Sequence, residues 1–318
     1  MKLLKGFQSI EEYKGGTVAT IGNFDGVHKG HQALLHSLRM EANKLGLPLV
    51  VIIFEPQPGE FFQGAKAPAR ISSLREKLQV LKSAKVDYVC CLKFNSTLSS
   101  MDPTEFAARL FSTFNPSLLM IGKDFRFGRD RLGDVSLLEK LAIPYDSQLH
   151  IFPDHTFASE RVSSTNVRRA LEAGNLQHAH DLLGRTYSMC GRVVKGKGMG
   201  RQWGIPTVNL NLHRLTLPLK GVLAVRLKRS SGQILWGVAN LGTRPTVDGT
   251  KNILEVHLFD FDESLYGEIV QVFLKYKLRD EQKFASVEAL IQQIHIDIQT
   301  AKEWIHAEIV QQRDFTTN

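Results

Sequence analysis

The first half of the chain alternates between two hydrophobic patterns, and this alternation restricts the fold more than any other feature. Short apolar runs rich in β-branched residues, typical of buried strands, occupy residues 17–21, 49–54, 88–94 and 118–121. Stretches with helical spacing lie between them, at residues 31–45, about 74–84 and about 104–113. Strands that alternate with helices form βαβ units, whose parallel sheet is covered on both faces. The sequence therefore predicts a doubly wound parallel sheet.

The pattern changes after Gly184. Two short helical patterns, at 166–172 and 176–183, precede this glycine, which favours a helix end. Strand-like runs separated by turn residues follow and indicate a small barrel or sandwich; they lie at residues 188–194, 222–228, 234–239, 253–259 and 269–278. A last amphipathic pattern, at 287–309, predicts a long helix packed on the strands. We therefore predict two domains, residues 1–185 and 186–318.

Composition narrows the class of protein. Hydrophobic residues at 43% and charged residues at 23% are typical of a globular protein. The apolar runs are far shorter than the roughly 20 residues of a membrane-spanning helix, and no secretory signal is recognisable, so we expect a cytoplasmic protein. Cys90, Cys91 and Cys190 lack metal-ligand spacing and are interpreted as reduced packing residues. The net charge of +8 favours polyanionic partners, without deciding between nucleic acid, an acidic membrane and phosphorylated small molecules.

A glycine-rich turn with two histidines follows the first predicted strand, between Gly22 and His31. Ligands of open α/β sheets bind at this end of the strands, where glycines allow close approach and a helix N-terminus attracts phosphate. His28 and His31, three residues apart, lie on the same helix face and are suited to neutralise charge that grows on a phosphate. A capping and packing role explains one such histidine, but two favour a phosphate site.

The turn resembles the H-x-G-H motif of the nucleotidyltransferase superfamily. The segment from Ser163 to Arg168 resembles its second element, whose hydroxyls and arginine hold ATP phosphates at a helix start. An ordinary helix N-cap would account for the presence of Ser164 or Thr165, but it would not account for Arg168. The resemblance implies catalytic roles for His28 and His31, and ATP binding by Gly22, Asn23, Phe24, Asp25, His28, His31, Ser163, Ser164, Thr165 and Arg168.

Two further loops follow the second and fourth predicted strands. Phe125 and Phe127 could flank a planar ring and Arg126 could meet a phosphate, although ordinary loop packing explains them equally well. Together with the H-x-G-H turn, the loops resemble the N-terminal module of the bifunctional bacterial riboflavin kinase/FMN adenylyltransferase (FAD synthetase) family. Gln57 stands where the family's F-x-P-H-P motif often has histidine. The resemblance implies flavin contacts for Phe54, Pro56, Asp124, Phe125 and Arg126.

The second half contains a glycine-rich run that could cover phosphates. Its G-x-x-x-x-G-K spacing is not a P-loop, because Gly198 stands where Ser or Thr should bind magnesium and a strand-like segment follows. Backbone N–H groups beside Lys197 and Arg201 can still bind phosphate. Thr207 and Asn209, two apart, share one side of an extended segment and offer oxygen ligands suited to Mg²⁺. A flexible hairpin followed by an edge strand remains the alternative.

From the P-T-V-N segment at 206–209 to residues 278–284, the motifs follow the order of the riboflavin kinase module, a six-stranded barrel with a C-terminal helix. The resemblance implies that Thr207 and Asn209 hold Mg²⁺, that Glu255 activates the ribityl hydroxyl of riboflavin, and that Arg279 lies near the flavin. It also implies phosphate contacts for Gly196, Lys197, Gly198, Gly200 and Arg201. Without it, Glu255 would be one polar position on a half-exposed strand.

The expected function is therefore synthesis of flavin cofactors. One module would transfer the ATP γ-phosphoryl group to riboflavin, giving FMN, and the other would transfer AMP from ATP to FMN, giving FAD and pyrophosphate. We expect no nucleic-acid or membrane partner, and the oligomeric state stays open.

One alternative is an RNA-binding protein, because H-x-G-H also resembles the ATP motif of class I aminoacyl-tRNA synthetases and small barrels bind oligonucleotides. Against this alternative, the barrel half lacks a run of aromatic residues interleaved with basic residues. Another alternative is an enzyme in which only one of the two modules is active.

Overall fold

The chain divides into two compact units. The computed structural model describes residues 1–8, 10–196, 198–246 and 249–316. The first unit comprises Met1–Pro68 and Leu74–Ser164, and the second comprises Ala69–Ser73 and Thr165–Asn318. The short segment Ala69–Ser73 is therefore part of the second unit, although the residues on either side of it belong to the first.

The first unit is built on a parallel sheet of six strands. The strands are β1 (Lys2–Lys5), β2 (Thr17–Ile21), β3 (Leu49–Glu55), β4 (Tyr88–Lys93), β5 (Pro116–Gly122) and β6 (Gln148–Phe152), in the order β1-β4-β3-β2-β5-β6. The helices are α1 (Lys29–Leu45), α2 (Pro58–Gln63), α3 (Leu74–Ser83), α4 (Ser96–Ser99), α5 (Pro103–Phe114) and α6 (Val135–Ala142). A two-stranded sheet, β7 (Thr156–Phe157) and β8 (Glu160–Arg161), completes it.

Both faces of this sheet are buried, as the alternating pattern predicts. Successive side chains of a strand point to opposite faces, and those of β3 divide accordingly: Val50 and Ile52 join the cluster that contains Phe111 of α5, while Val51 and Ile53 join the cluster of α1. The uniformly apolar sequence of β3 reflects this two-sided burial.

The sequence did not predict the two edge strands, β1 and β6. Leu3 of β1 is 42% exposed and Ile151 of β6 is 48% exposed. Because an edge strand is paired on one side only and buries less, it lacks the continuous apolar run by which the central strands are recognised. The helices α2, α4 and α6 were missed as well; α2 and α4 span too few turns to show a helical period.

The second unit is a closed six-stranded barrel with helices. It contains α7 (Ser164–Glu172, counted here with its first residue), α8 (Leu176–Leu183), β9 (Ser188–Val194), α9 (Met199–Gln202), β10 (Val208–Asn211), β11 (Gly221–Lys228), β12 (Ile234–Thr246), β13 (Gly249–Leu258), β14 (Ile269–Arg279) and α10 (Val287–Thr316). The strand order around the barrel is β10-β13-β12-β11-β14-β9. On α10, Ala301 and Ile305 pack against Val222, Ala224 and Val238 of the barrel. The predicted barrel and its long helix are confirmed.

Two other sequence-based expectations can be compared with the structure. Across the described ranges, no helix combines the length and apolarity that crossing a membrane requires. All three cysteines are free, and burial raises the pKa of the Cys90 thiol to about 11. A thiol with so high a pKa stays protonated and packs as a small apolar group.

Candidate active sites

The first candidate site is the turn between β2 and α1. Phe24 and Val27 both adopt positive φ angles, 47° and 39°, which is rare for residues with bulky or branched side chains. Both side chains are almost completely buried in the core beneath α1. Such backbone strain persists only where the surroundings fix it, so the buried rings and methyl groups hold the turn in one shape.

The two predicted histidines stack on each other at the start of α1. His28 is the N-cap residue, and its Nδ1 accepts a hydrogen bond from the His31 backbone N–H at 3.4 Å. The ring centroids lie 3.8 Å apart, with planes inclined by 20°. Because Nδ1 is the acceptor, the neutral His28 ring carries its proton on Nε2. A Cβ on Gly30 would lie 3.2 Å from the His28 ring and 3.3 Å from the Val162 carbonyl oxygen, so the glycine of H-x-G-H makes room for this stack.

Two hydrogen bonds tie the turn to later parts of the first unit. The Lys77 ammonium, on α3, donates to the Asn23 carbonyl at 2.5 Å, although Lys77 is fully buried. The Ser164 hydroxyl donates to the Asp25 carbonyl at 2.9 Å, and Ser163 precedes it, half-buried. The structure therefore brings Ser164 to the turn. Lys77 was missed, because one lysine within an amphipathic helix gives no sequence signal.

The remaining members of the second ATP element belong to the other unit. Thr165 is exposed, and the Arg168 Nε donates to the Ala69 carbonyl at 2.7 Å. Ala69 also belongs to the second unit. Arg168 thus has a fixed orientation within that unit.

The loop after β3 combines a half-buried aromatic ring with a buried amide. Phe54 packs edge-on against Phe94, and Pro56 is exposed. Gln57 caps α2 in a reciprocal arrangement with Glu60. The Gln57 Nε2 is buried and lacks a hydrogen-bond partner among the residues that the structure describes. Gln57 therefore caps α2, and its amide nitrogen, with two N–H donors, has no partner among the described residues.

The loop after β5 differs from the expectation that two phenylalanines flank a planar ring. Phe125 and Phe127 stack directly on each other, with centroids 5.7 Å apart and planes inclined by 17°. Phe127 is buried in the core, so the gap holds no third ring and only Phe125 is placed to offer a face. Arg126 pairs with Asp134 at 3.2 Å, and Asp124 pairs with Arg161. Both pairs are exposed and are therefore weak.

The second candidate site is a cavity of about 380 Å³ in the second unit. Its lining comes from the glycine-rich segment, from barrel strands, from the loop after β14 and from the start of α10. Six predicted residues meet there: Gly198, Gly200, Thr207, Asn209, Glu255 and Arg279. A cavity of this size falls in the range typical of small-molecule sites.

Strand register brings the polar groups of this cavity together. Asn209 of β10 lies opposite Glu255 of β13, which in turn lies opposite Asn240 of β12. Asn209 is buried, and its Oδ1 has no hydrogen-bond partner within the described part of the chain. A Cβ on Gly196 would lie 2.4 Å from the Asn209 Nδ2. Gly196 therefore leaves the space that the Asn209 side chain occupies.

Arg279 is fixed by a carboxylate that the sequence did not reveal. Its guanidinium donates to both oxygens of Asp297, at 2.9 and 2.7 Å, and Asp297 on α10 is 5% exposed. The Arg279 guanidinium also lies 5.7 Å from the centroid of the Phe284 ring. Asp297 lies among the apolar positions of α10, and a charged residue in that stripe was the signal that could have found it.

The other predicted phosphate-binding residues divide into three groups. Gly198 and Gly200 line the cavity, whereas Arg201 is exposed and is not among its lining residues. Lys197 lies outside the described residues. Sequence reasoning also missed Trp203, Asn240 and His257, which line the cavity; single residues on strands and turns carry no motif.

Both halves of the chain match known protein families. Residues 10–166 match the family model described as FAD synthetase, and residues 183–305 match the one described as riboflavin kinase. The bifunctional riboflavin kinase/FMN adenylyltransferase of Haemophilus influenzae is 42% identical over 308 residues, which cover 96% of this chain and 100% of that protein. This chain belongs to that bifunctional family. The protein of the same name from Escherichia coli K12 is 45% identical, over 96% of this chain and 98% of its own length.

Family membership confirms the resemblance found in the motifs, and it favours an enzyme over the RNA-binding alternative. A solved structure titled as a macrolide-efflux protein from Streptococcus pneumoniae has a TM-score of 0.79 and 30% identity. It covers 96% of this chain and 100% of its own. This likeness supports the fold, a parallel sheet followed by a barrel.

Proposed function

We propose that this chain makes FMN from riboflavin and ATP, and then FAD and pyrophosphate from FMN and a second ATP. One observation carries the proposal: the chain matches bifunctional relatives over 96% of its length, and each family-model region contains an assembled candidate site. We assign the kinase to residues 186–318 and the adenylyltransferase to residues 1–185, and we expect both to act in the cytoplasm.

For the kinase step, we assign proton removal to Glu255. A ribityl hydroxyl is a poor nucleophile until its proton is accepted, and a positioned carboxylate can accept it. Glu255 lines the cavity beside Asn209. The freed oxygen attacks the γ-phosphorus of ATP, the bond to the bridging oxygen breaks, and ADP leaves. Arg279 borders the flavin, and the two hydrogen bonds that it donates to Asp297 keep the guanidinium in place.

The phosphates of this ATP are assigned to the glycine-rich segment. Gly198 and Gly200 allow backbone N–H groups to approach phosphate closely, and both lie at the cavity. Gly196 acts through the Asn209 side chain that it accommodates. Lys197 and Arg201 are retained as phosphate-binding residues on the resemblance alone.

Magnesium fits the same cavity. The buried Oδ1 of Asn209 is an oxygen ligand without a protein partner among the described residues, and Thr207 lines the cavity with it. Hard oxygen donors are what Mg²⁺ prefers. When bound, the ion supplies positive charge to the phosphates of ATP.

For the adenylyl step, we assign charge stabilisation to His28 and His31. An oxygen of the FMN phosphate attacks the α-phosphorus of ATP, and the bond to the bridging oxygen of the β-phosphate breaks as pyrophosphate leaves. The stacked imidazoles lie at the N-terminus of α1, where helix N–H groups favour anions. Positioning and fixed positive charge can stabilise this transition state without a covalent intermediate.

The other ligand contacts of this module follow the family resemblance. ATP is assigned to the turn residues Gly22, Asn23, Phe24 and Asp25, and to Ser163, Ser164, Thr165 and Arg168. Flavin is assigned to Phe54, Pro56, Asp124, Phe125 and Arg126. Phe125 is half-buried and its ring is positioned by Phe127, which supports a stacking role.

A single incubation tests the proposal. Purified protein is mixed with riboflavin, ATP and Mg²⁺, and the flavins are separated by chromatography. We expect FAD. FMN as the only product would mean one live module, and unchanged riboflavin would contradict the proposed function.

A further inference from the structure

The short segment Ala69–Ser73 belongs to the second unit, although the residues before and after it belong to the first. It has no regular secondary structure at its centre, yet Ala69, Arg70, Ile71 and Ser72 are each buried to more than nine-tenths. Buried backbone carbonyls need hydrogen-bond donors. Three side chains far along the chain, those of Arg168, Tyr187 and Arg214, donate to carbonyls of this segment.

Two side chains of the barrel region hold the middle of this segment. Arg214, which is itself buried, donates from Nη1 to the carbonyls of Arg70 and Ile71, both at 2.8 Å. The Tyr187 hydroxyl donates to the Ile71 carbonyl at 3.0 Å and lies 3.0 Å from the same Arg214 nitrogen, from which it accepts. A guanidinium, a phenol and two carbonyls therefore form one buried network.

This network is anchored to the strand that carries Glu255. The Asn252 side-chain amide, on β13, donates to the backbone carbonyls of Arg214 and Leu215 at 2.8 and 3.0 Å. The backbone beneath the Arg214 side chain is thereby attached to the barrel wall. Because β13 pairs on both sides, its position is set by the closed barrel.

The same segment also orients Arg168. The Ala69 carbonyl accepts from the Arg168 Nε at 2.7 Å. Fixing Nε sets the plane of the guanidinium and so the directions in which its two Nη groups donate. The residue assigned to the ATP phosphates is aimed by a segment that Tyr187 and Arg214 hold.

We propose that Tyr187 and Arg214 are positioning residues for adenylyl transfer, although both lie in the part of the chain that forms the kinase barrel. They fix Ala69–Ser73, and this segment fixes the Arg168 guanidinium. The inference rests on the proposed role of Arg168 in ATP binding. The two activities then differ in which residues they depend on. Adenylyl transfer depends on side chains beyond residue 185, whereas the lining of the riboflavin kinase cavity includes none of the residues in this network.

The first test is Tyr187→Phe in the full-length protein, which removes one hydroxyl and keeps the ring. We expect the KM for ATP in FMN adenylylation to rise roughly fivefold, the size expected for one hydrogen bond, with kcat changed less. Riboflavin phosphorylation should stay within twofold. Tyr276→Phe is the matched control, because it makes the same change on β14, where Tyr276 stacks on Trp304. An unchanged KM for ATP in Tyr187→Phe would overturn the proposal.

A double-mutant cycle shows whether the effect passes through Arg168. In an Arg168→Ala background, Tyr187→Phe should cause no further rise in the KM for ATP. If the two changes instead multiply, the tyrosine acts by another route and the proposal is wrong. If Arg168→Ala alone leaves adenylylation intact, the ATP assignment of Arg168 fails; if only Tyr187→Phe is silent, the assignment stands and the positioning role fails.

Arg214→Lys provides a second variant should Tyr187→Phe fold poorly. Lysine keeps the charge, but its side chain is one atom shorter than the path to the Arg214 Nη1, the nitrogen that donates to the two carbonyls and the hydroxyl. The expected signature is the same, a raised KM for ATP with kinase turnover within twofold. Equal losses of both activities, accompanied by a lower melting temperature, would indicate a purely structural role and contradict the proposal.

Discussion

The stacked histidines of the first candidate site and the polar residues of the second differ in how far apart along the chain they lie. The histidine stack of the adenylyltransferase half is contained in one turn between β2 and α1, within residues 22–31. The kinase cavity collects residues from Gly198 to Asp297, on strands, loops and a helix. A local site depends mainly on helix capping and backbone conformation, whereas the cavity depends on barrel register.

This difference indicates which substitutions should displace the residues of each site. Substitutions that preserve the turn should leave His28 and His31 in place whatever happens in the barrel. In the cavity, a change at one strand reaches its neighbours directly, because Asn209, Glu255 and Asn240 are consecutive across three strands.

The largest effect is expected from Glu255→Gln. Glutamine keeps the size of the side chain but cannot accept the ribityl proton at neutral pH, so riboflavin phosphorylation should slow by about 10²–10⁴-fold. Riboflavin affinity should change little, and supplied FMN should still become FAD. Kinase rate, riboflavin affinity and FMN adenylylation are measured on the same preparation.

Glu303→Gln serves as the control, because this exposed carboxylate of α10 bonds only to Gln299 among the contacts described. A kinase rate of Glu255→Gln within threefold of wild type would rule out proton removal by Glu255.

The reverse selectivity is expected from His28→Ala and His31→Ala. Each removes an imidazole to which we assign charge stabilisation, and losing such a group typically costs about 100-fold or more in turnover. FAD synthesis should collapse while FMN synthesis from riboflavin persists. Both products are followed by chromatography, with His150→Ala on the exposed strand β6 as the control. Parallel loss of both activities would show that the turn is not confined to adenylyl transfer.

A smaller effect, on the kinase alone, is expected from Gly196→Ala. The new methyl group would lie 2.4 Å from the Asn209 Nδ2, so the asparagine must move and the magnesium geometry should suffer. We expect about a tenfold slower kinase that needs more Mg²⁺ for half-maximal rate, as a deformed ligand set predicts. Gly15→Ala is the control, since a Cβ there meets no atom within 4 Å. An unchanged Mg²⁺ requirement would argue against Asn209 as a ligand.

The smallest effect concerns the domain boundary. A fragment of residues 186–318 should fold and phosphorylate riboflavin without making FAD. It lacks α8, whose buried Leu182 and Leu183 contribute to the second unit and which packs on β14. A fragment of residues 165–318 should therefore melt at a higher temperature, by several degrees if about 1 kcal/mol is recovered. Equal melting temperatures would favour the boundary at 185/186, and an insoluble or inactive 186–318 would count against it.

Much of the fold could be predicted because its signals are local. The strands β2 and β9 and the helix α8 have the predicted ends, and the other central strands differ by a few residues. The hairpin β12–β13 extends further than predicted, to Thr246 and from Gly249, because polar residues pair there without an apolar pattern. The edge strands were missed for the same reason, whereas α2 and α4 were missed because they span too few turns to show a helical period.

The candidate sites show the same division. Spacing alone placed His28 and His31 on one helix face and Thr207 and Asn209 on one side of a strand. It could not reveal that Phe125 stacks on Phe127, that Lys77 reaches Asn23, or that Asp297 holds Arg279. In each of these contacts, packing in the folded protein decides which rotamer the side chain adopts and therefore which residue it meets.

By itself, then, the amino-acid sequence determined the two fold classes, the glycine-rich turn with its two histidines, and the placing of Thr207 and Asn209 at the start of β10. Hydrophobic period, glycine placement and residue spacing suffice for these features because they act over a few neighbouring residues. Only the tertiary structure decided the strand order β1-β4-β3-β2-β5-β6, the meeting of Asn209 with Glu255, and the capture of Ala69–Ser73 by Tyr187 and Arg214. The physical reason is that these arrangements depend on strand register and side-chain packing between segments far apart along the chain, which no local period encodes.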